Sequence, residues 1–403
     1  MSSSLTPSLW AHLRPGGLRG PAMRPHFAAA SSKRVLLQSG PIAVAYGSDD
    51  IRRLVAAPQL RMPTPQFPPD ISAAATDFVR RFTTSLSFAA PTDHARLRRV
   101  MLQHFSSRAV EAFRRDVDAI AGDALRHVPQ GVTVDLVAAV ADPLPLRTTA
   151  ALAGIPVQHW AGIEKIARAM LGTVYSFQYA EPVTRIIPAD FRWFERTLTQ
   201  LVSDPNMSTG GVSAGIARSV RDQMLTPDEA VSLLMLLFMT GVDTVAAALA
   251  NVALALTERP ALGELAAADV HSAGEVVDEV LRLNPPLPYA VREVVEDFHF
   301  GTHQLRTGDR VFLCLAAANL DPRRYPDPLQ WRLGRPPSSS FGHGAHRCLG
   351  GSLARLQVVS VVHRLARTGL SAAGENVVWK DIPSINTPKH LLVRIGRGGE
   401  VAA

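Results

Sequence analysis

The chain has 403 residues and 47% of them are hydrophobic, so it can bury a large core within one domain. Its net charge of +7 is modest for this length and no dense run of Lys or Arg occurs, which argues against nucleic-acid binding. The two cysteines, Cys314 and Cys348, are too few for a disulfide framework and indicate a reducing compartment, for which we expect the cytoplasm.

The N-terminal segment, residues 1–33, is rich in Ser, Pro, Gly and Ala and shows no sustained periodicity. We expect a flexible arm here, followed by one domain over residues 34–403. The start of the chain has no apolar stretch of the kind that a signal peptide needs, so we expect neither a signal peptide nor a membrane anchor. Two short apolar runs on either side of Ser39-Gly40-Pro41 predict a β-hairpin, and residues 48–54 predict a short capped helix.

A basic helix is predicted over residues 93–101. His94 and Arg98 are four positions apart and therefore share one face, whereas Arg96 and Arg99 point elsewhere. Taken alone, the pattern is equally consistent with a solvated basic surface.

An apolar run follows the helix start Thr226-Pro227-Asp228-Glu229, which has an N-cap hydroxyl, Pro at the first position and Glu three residues after the cap. The run ends at Pro260 and predicts a buried helix of about 32 residues, about 48 Å long. A membrane span is the alternative for so apolar a run. Asp243 near its centre would cost several kcal/mol in a bilayer, which favours a buried helix.

The centre of this helix contains Gly241, Asp243 and Thr244. Glycine in a helix interior costs about 1 kcal/mol, so Gly241 indicates the close approach of a flat ligand or an opening in the helical hydrogen bonding. Asp243 and Thr244 supply an acid and a hydroxyl that can pass protons into such a pocket.

A second helix over residues 275–282 places Glu279 and Arg282 three positions apart, a spacing that is common in surface ion pairs. Farther on, the stretch from Phe341 to Gly350 is punctuated by glycines and holds Cys348 just before a predicted helix. The positive end of a helix dipole favours a thiolate there, and a thiolate with one axial position to fill suits haem iron. A buried structural cysteine is one alternative. A zinc site with His343 and His346 is another, although no second ligand pair lies nearby.

The pattern Phe341-x-x-Gly344-x-x-x-Cys348-x-Gly350 resembles the haem-binding loop of the cytochrome P450 family. Three further elements occur in that family's order: His94-x-x-x-Arg98, Gly241-x-Asp243-Thr244 and Glu279-x-x-Arg282. The resemblance covers residues 35–395. It implies a mainly α, single-domain cytochrome P450 fold, with a long central helix and a small β-rich region.

The resemblance also implies a haem b (iron protoporphyrin IX) cofactor with Cys348 as the iron ligand, and O2 as co-substrate. The sequence departs from the family pattern in two ways. Thr240 stands where Ala is frequent, and the segment between Arg335 and Phe341 has only five residues, which is shorter than usual. The implied roles are cofactor binding by His94, Arg98, Arg292, Phe341, Gly342, His346 and Gly350, oxygen activation by Gly241, Asp243 and Thr244, and a structural role for Glu279, Arg282 and Arg335.

The electron donors implied by the resemblance are a ferredoxin and a ferredoxin reductase, since no Gly-rich dinucleotide motif occurs in a strand–helix context. A basic surface of Arg96, Arg99, Arg347 and Arg355 would suit an acidic partner of this kind. We expect a monomer with a small-molecule substrate, no nucleic acid and no membrane. Family geometry suggests pocket residues on the central helix and in two later loops: Met239, Thr240, Leu287, Tyr289 and Asn386.

The segment 201–211 has the composition of a loop between helices, but it is also similar to the corresponding segment of cyclodipeptide-oxidising members of the family. It favours an oxidase of natural-product biosynthesis that acts on a cyclic dipeptide (diketopiperazine), by hydroxylation or by radical C–C or C–N coupling. The alternatives are a hydroxylase of a terpenoid, macrolide or fatty acid, and a non-enzymatic haem sensor. Asp243 and Thr244 argue against the sensor, which needs no proton relay.

Overall fold

The computed structural model describes residues 18–33, 36–63, 76–163, 166, 188–204, 210–374, 377–382 and 384–396. Within these residues the fold is mainly α, with small sheets beside the helices, which confirms the predicted fold class. The helices are α1 (Arg24–Ser32), α2 (Ser48–Val55), α3 (Thr76–Thr83), α4 (Pro91–Leu102), α5 (Ser107–Ala112), α6 (Arg114–Arg126), α7 (Pro143–Ala153), α8 (Pro188–Ser203), α9 (Gly211–Arg221), α10 (Pro227–Gly241), α11 (Asp243–Glu258), α12 (Pro260–Ala268), α13 (Val270–Leu283), α14 (Leu315–Ala318) and α15 (Gly351–Thr368).

The largest sheet has five strands in the order β1-β2-β8-β5-β3, and it contains the predicted hairpin, in which Leu36 pairs with Ala45. Strand β2 also pairs with β8, in parallel. The remaining sheets have the orders β4-β12-β9, β10-β11 and β6-β7. The strands are β1 (Leu36–Ser39), β2 (Ile42–Ala45), β3 (Leu60–Arg61), β4 (Thr133–Asp135), β5 (Tyr289–Val294), β6 (Phe298–Phe300), β7 (His303–Leu305), β8 (Arg310–Cys314), β9 (Leu370–Ala372), β10 (Val378–Trp379), β11 (Pro388–His390) and β12 (Leu392–Ile395).

The N-terminal segment is ordered where the structure describes it. Residues 20–32 form a 3-10 turn and then α1, and Met23 and Phe27 are buried in an apolar cluster with β5 and β8. The predicted flexible arm is therefore wrong for residues 18–33, because these two apolar side chains give the segment a place in the core. Residues 1–17 lie outside the described part of the chain.

The predicted central helix is divided at Val242 into α10 and α11. It begins as expected, since the Thr226 hydroxyl accepts a hydrogen bond from the Glu229 N–H in a complete capping box. At the division the Thr244 hydroxyl donates to the Thr240 carbonyl oxygen (2.8 Å). Side chains that bond to backbone carbonyls bend helices, and Gly241 lowers the cost of a bend at this point.

Helix α11 is the centre of the second apolar cluster. Its residues from 245 to 256 are all buried, and it contacts α12, α13 and α15. Taken together, residues 227–258 are long and apolar enough to cross a membrane, but 67% of their most apolar window is buried inside the protein. This burial is typical of a core helix, so the composition of the stretch is explained without a bilayer.

Glu279 and Arg282 form a buried ion pair on α13, with 3% and 1% of their side chains exposed. The carboxylate accepts two guanidinium hydrogen bonds (2.7 and 2.8 Å), and the Arg335 Nε lies 3.5 Å from the same carboxylate. Arg282 also donates to the carbonyl oxygens of Asn319 and Pro328, both at 2.9 Å. The ion pair therefore connects α13 to the segment 319–335, which precedes the Cys348 loop.

Replacing Glu279 by Gln should lower the free energy of unfolding by about 3–5 kcal/mol, because it leaves the buried Arg282 charge uncompensated. The matched control is Asp278→Asn on the same helix. Asp278 makes an equally well-aligned pair with Arg355 (2.8 Å twice), but both partners are exposed, so we expect a loss below about 1 kcal/mol. Urea titration measures both values, and equal losses in the two variants would contradict the structural role of Glu279.

Candidate functional site

The loop before α15 turns sharply around Cys348. The Cys348 N–H donates to the Phe341 carbonyl oxygen (2.9 Å), which closes the loop on itself. Gly342 and Gly344 have φ angles of +70° and +67°, in the left-handed region that favours glycine. A Cβ on Gly344 would also lie 2.7 Å from the Val55 side chain on α2, so this position has no room for a larger residue.

Three polar residues that sequence reasoning did not single out hold this loop in place. The Asn319 side chain accepts from the Ser339 N–H (2.6 Å) and donates to the Ser340 hydroxyl (2.8 Å). That hydroxyl in turn donates to the Leu281 carbonyl oxygen on α13 (2.7 Å). The sequence does contain a signal for this role. Asn319 follows the apolar run 315–318, and a polar side chain that is buried beside such a run needs a hydrogen-bond partner.

Cys348 is an exposed residue, although protein atoms surround its thiol closely enough to disfavour the charged thiolate. Burial raises its pKa, and the Gly350 N–H together with the Arg98 and Arg347 guanidinium groups offsets part of that effect. The start of the following helix thus acts in the expected direction through the Gly350 N–H, but burial acts against it. A bound metal ion would supply the missing stabilisation, since a coordinating thiol loses its proton.

Four basic side chains, from α4, β5 and the Cys348 loop itself, lie close together. The His94 ring on α4 is 4.3 Å from the His346 ring, and Arg98 donates to the Arg347 carbonyl oxygen (2.7 Å). Burial lowers the pKa of Arg292 to about 10. Burial, followed by the charges of Arg292, His94 and Arg98, lowers the pKa of His346 to about 4.

Among the described residues, none of these four side chains has a carboxylate partner within ion-pair distance. Buried Arg292 instead donates to the Met62 sulfur (2.9 Å) and the Val291 carbonyl oxygen (2.8 Å). An uncompensated buried cation is costly, so the cluster is suited to an anionic ligand. The two propionates of haem b would meet this requirement and the Cys348 thiol would offer a ligand to the iron, so the residues present fit that cofactor.

The division between α10 and α11 forms a second polar opening. Thr240 is exposed although Met239 and Val242 beside it are buried, and Asp243 and Thr244 are half-buried. The Thr240 hydroxyl donates to the Leu236 carbonyl oxygen (2.8 Å). Hydroxyls and a carboxylate are thus accessible in the middle of an otherwise apolar stretch.

The predicted pocket residues separate into two groups. Thr240 and Leu287 are at least partly accessible, whereas three others belong to the protein interior. Met239 is 1% exposed within the apolar core. Tyr289 packs against Phe27 and Phe312, because α1 covers that side of β5.

Asn386 is also buried, and its side-chain oxygen accepts from the Gly20 N–H (2.7 Å). Met239, Tyr289 and Asn386 are thus interior residues of the described structure, and their role in lining the substrate pocket stays a prediction.

The proposed basic surface is reduced by ion pairs. Arg96 binds Glu229 and Asp93, and Arg355 binds Asp278, so half of the four guanidinium groups already have anionic partners. Arg99 and Arg347 are exposed and form no ion pair within the described residues.

The chain is similar to several known proteins. The family model described as Cytochrome P450 matches residues 268–368. Cytochrome P450 monooxygenase PikC of Streptomyces venezuelae is 30% identical over 325 residues, covering 77% of this chain and 76% of that protein. Cyclomarin C epoxidase CymV of Salinispora arenicola is 29% identical over 321 residues, covering 77% and 80%. The structure of epothilone D-bound cytochrome P450epoK has a TM-score of 0.82 and 22% identity, covering 92% of this chain and 96% of that one.

The chain belongs to the cytochrome P450 family. Its cofactor is haem and its co-substrate is O2, which makes it an oxidoreductase of the monooxygenase type.

Replacing Arg292 by Leu should weaken haem binding about tenfold to a hundredfold, the value of a charged hydrogen bond to a propionate. The measurement is transfer of haem from each variant to an excess of a haem scavenger protein, followed by visible absorption. Arg99→Leu is the matched control, because Arg99 is also a cation but is exposed on α4. Indistinguishable retention of haem by the two variants would argue against a propionate contact for Arg292.

Proposed function

We propose that the protein oxidises a small natural product with O2 at a haem ligated by Cys348, using electrons from a ferredoxin and its reductase. The observation that carries the proposal is the convergence of the thiol with four basic side chains that have no carboxylate partner among the described residues. The bound haem supplies the O2 chemistry, for which a thiolate axial ligand is suited. The protein holds the cofactor, controls protons and orients the substrate.

We assign proton delivery to Asp243 and Thr244. Both are half-buried at the division between α10 and α11, where an acid and a hydroxyl can exchange protons with water. The Thr244 hydroxyl donates to the Thr240 carbonyl oxygen, so its own oxygen lone pairs remain available to accept a proton from Asp243 or from water.

Thr244→Ala should reduce the product formed per O2 consumed by at least about tenfold, because general acid catalysis contributes factors of this size or more. Product and hydrogen peroxide are measured together against O2 consumption. The matched control is Thr257→Ala on the same helix, since Thr257 also donates to a backbone carbonyl (2.8 Å) but lies near the helix end. Unchanged coupling in Thr244→Ala would remove this residue from the relay.

Arg99 is the exposed cation on α4 that we assign to ferredoxin docking, since it has no ion-pair partner among the described residues. Arg99→Glu should slow reduction of the haem by an acidic ferredoxin severalfold at low ionic strength, because rim charges act on the association rate. Arg126→Glu on α6 is the control, as its side chain is 73% exposed elsewhere. Stopped-flow reduction kinetics decide the point, and equal rates for Arg99→Glu and the wild type would exclude Arg99 from docking.

For the substrate, we propose a cyclic dipeptide, on the similarity of segment 201–211 to cyclodipeptide-oxidising family members. Residues 205–209 of that segment lie outside the described part of the chain. Coupling reactions on such substrates demand that two reacting groups be held close, which is a task of orientation. The alternative is a monooxygenase of a terpenoid, macrolide or fatty acid. It is supported by the relative PksS of Bacillus subtilis, a cytochrome P450 of polyketide biosynthesis, since macrolides are polyketides.

Titration of the ferric protein with cyclic dipeptides, followed by visible absorption, separates these candidates. We expect aromatic cyclic dipeptides to shift the haem band toward its high-spin form with micromolar Kd, corresponding to about −8 kcal/mol. A parallel macrolide and terpenoid panel serves as the comparison. A response confined to that second panel would replace the cyclic dipeptide by the alternative and leave the haem assignment unchanged.

A further inference from the structure

Asn251 is a fully buried polar residue on α11 that holds two loops at once. Its side-chain nitrogen donates to the Asn284 carbonyl oxygen (3.1 Å) and to the Asn386 carbonyl oxygen (2.9 Å). Asn284 ends α13 and Asn386 lies just before β11, so the acceptors come from chain segments about a hundred residues apart. We call residues 284–288 and 384–387 the wall loops.

The wall loops are also fastened to each other and to the N-terminal segment. The Asn386 N–H donates to the Pro286 carbonyl oxygen (2.7 Å), and the Gly20 N–H donates to the Asn386 side-chain oxygen (2.7 Å). From the same segment, Arg24 Nε donates to the Asn284 side-chain oxygen (3.2 Å). Asn251 therefore holds the wall loops from the inside of the molecule, and residues 20–24 hold them from the outside.

An apolar contact lies on the same face of α11, one turn before Asn251. Ala247 packs with Ile385 and with partly buried Leu287, so each wall loop contributes one side chain to this contact. Residues 244, 247 and 251 share one helix face, because they follow the three- and four-residue spacing of a helix. The Leu287–Ile385 contact thus lies one turn from Thr244, and Asn251 lies one turn beyond it.

Several buried polar atoms of this cluster have no hydrogen-bond partner within the described residues. They are Asn251 Oδ1, Asn386 Nδ2, Arg24 Nη2 and Ser384 Oγ. An apolar residue at position 251 would remove the unpaired Asn251 Oδ1, but it would also take the donor away from the carbonyl oxygens of Asn284 and Asn386. The asparagine at this position is therefore explained by the two carbonyl groups that it binds, one in each wall loop.

We propose that Asn251 is a positioning residue for the substrate pocket: it holds both wall loops against α11 and so fixes Leu287 and Ile385 beside Thr244. The inference rests on the proposed function, in which the substrate lies on the Thr244 side of the haem. Without the Asn251 hydrogen bonds, the wall loops have to become ordered each time a ligand binds. This cost lowers the affinity for ligands that are large enough to contact the wall loops. A ligand that is too small to reach the wall is unaffected.

Imidazole and 4-phenylimidazole provide the two probes, since both bind haem iron through nitrogen and differ by one phenyl ring. In the haem-loaded Asn251→Leu variant we expect the Kd of 4-phenylimidazole to rise about three- to tenfold, the effect of losing hydrogen bonds that order the wall. The Kd of imidazole should stay within about twofold of the wild-type value. Visible absorption titration gives both constants without a turnover assay.

The matched control is Ser360→Ala on α15, which also removes a buried polar group, one that donates to Asp118 far from the wall loops. It should leave the ratio of the two Kd values unchanged. An unchanged ratio in Asn251→Leu, or an equal rise in both constants, would overturn the proposal. If Asn251→Leu does not fold with haem, the ratio of the two Kd values is measured in Asn251→Ser instead. This variant is milder, because its shorter side chain retains a hydrogen-bond donor. A wild-type protein that binds neither probe would instead refute the proposed haem site itself.

Discussion

The buried Glu279–Arg282 pair is the interaction on which the placement of the site depends. A charge removed from water must be neutralised and its remaining donors satisfied. Arg282 meets this requirement with the Glu279 carboxylate and with the carbonyl oxygens of Asn319 and Pro328. The Asn319 side chain then fixes Ser339 and Ser340, and the loop that follows carries Cys348. The position of the thiol therefore follows from the satisfaction of one desolvated charge several elements away.

The cofactor site has the opposite electrostatic character, because its two arginine charges are left without a carboxylate partner among the described residues. His94, Arg98, Arg292 and His346 approach one another without a described carboxylate, and burial raises the pKa of the Cys348 thiol. Each of these features costs stability in the protein alone and favours a ligand that brings two carboxylates and a metal ion. Binding to the folded state alone converts that cost into affinity and stabilises the fold.

The parts of this arrangement that are local in sequence could be predicted. The capping box at Thr226, the shared face of His94 and Arg98 and the hairpin at Ser39 each depend on residues within a few positions of one another. The surroundings of the predicted pocket residues could not be predicted, because their partners lie far along the chain. Tyr289 is covered by Phe27, and Asn386 is bound by Gly20, contacts that no periodicity indicates. The raised pKa of the Cys348 thiol likewise depends on how much protein encloses it, which a motif does not specify.

The same distinction explains why the haem site is easier to read from sequence than the substrate pocket. Haem has a fixed shape and charge, so it requires the same donors in the same local patterns, and a relative at 30% identity shares the family. The pocket wall has no such fixed requirement. Leu287 and Ile385 are brought together by Asn251 and by residues 20–24, which lie far from both in the chain. A substitution in any of these segments can move the wall without altering a haem motif, so substrate choice can diverge while the cofactor chemistry is retained.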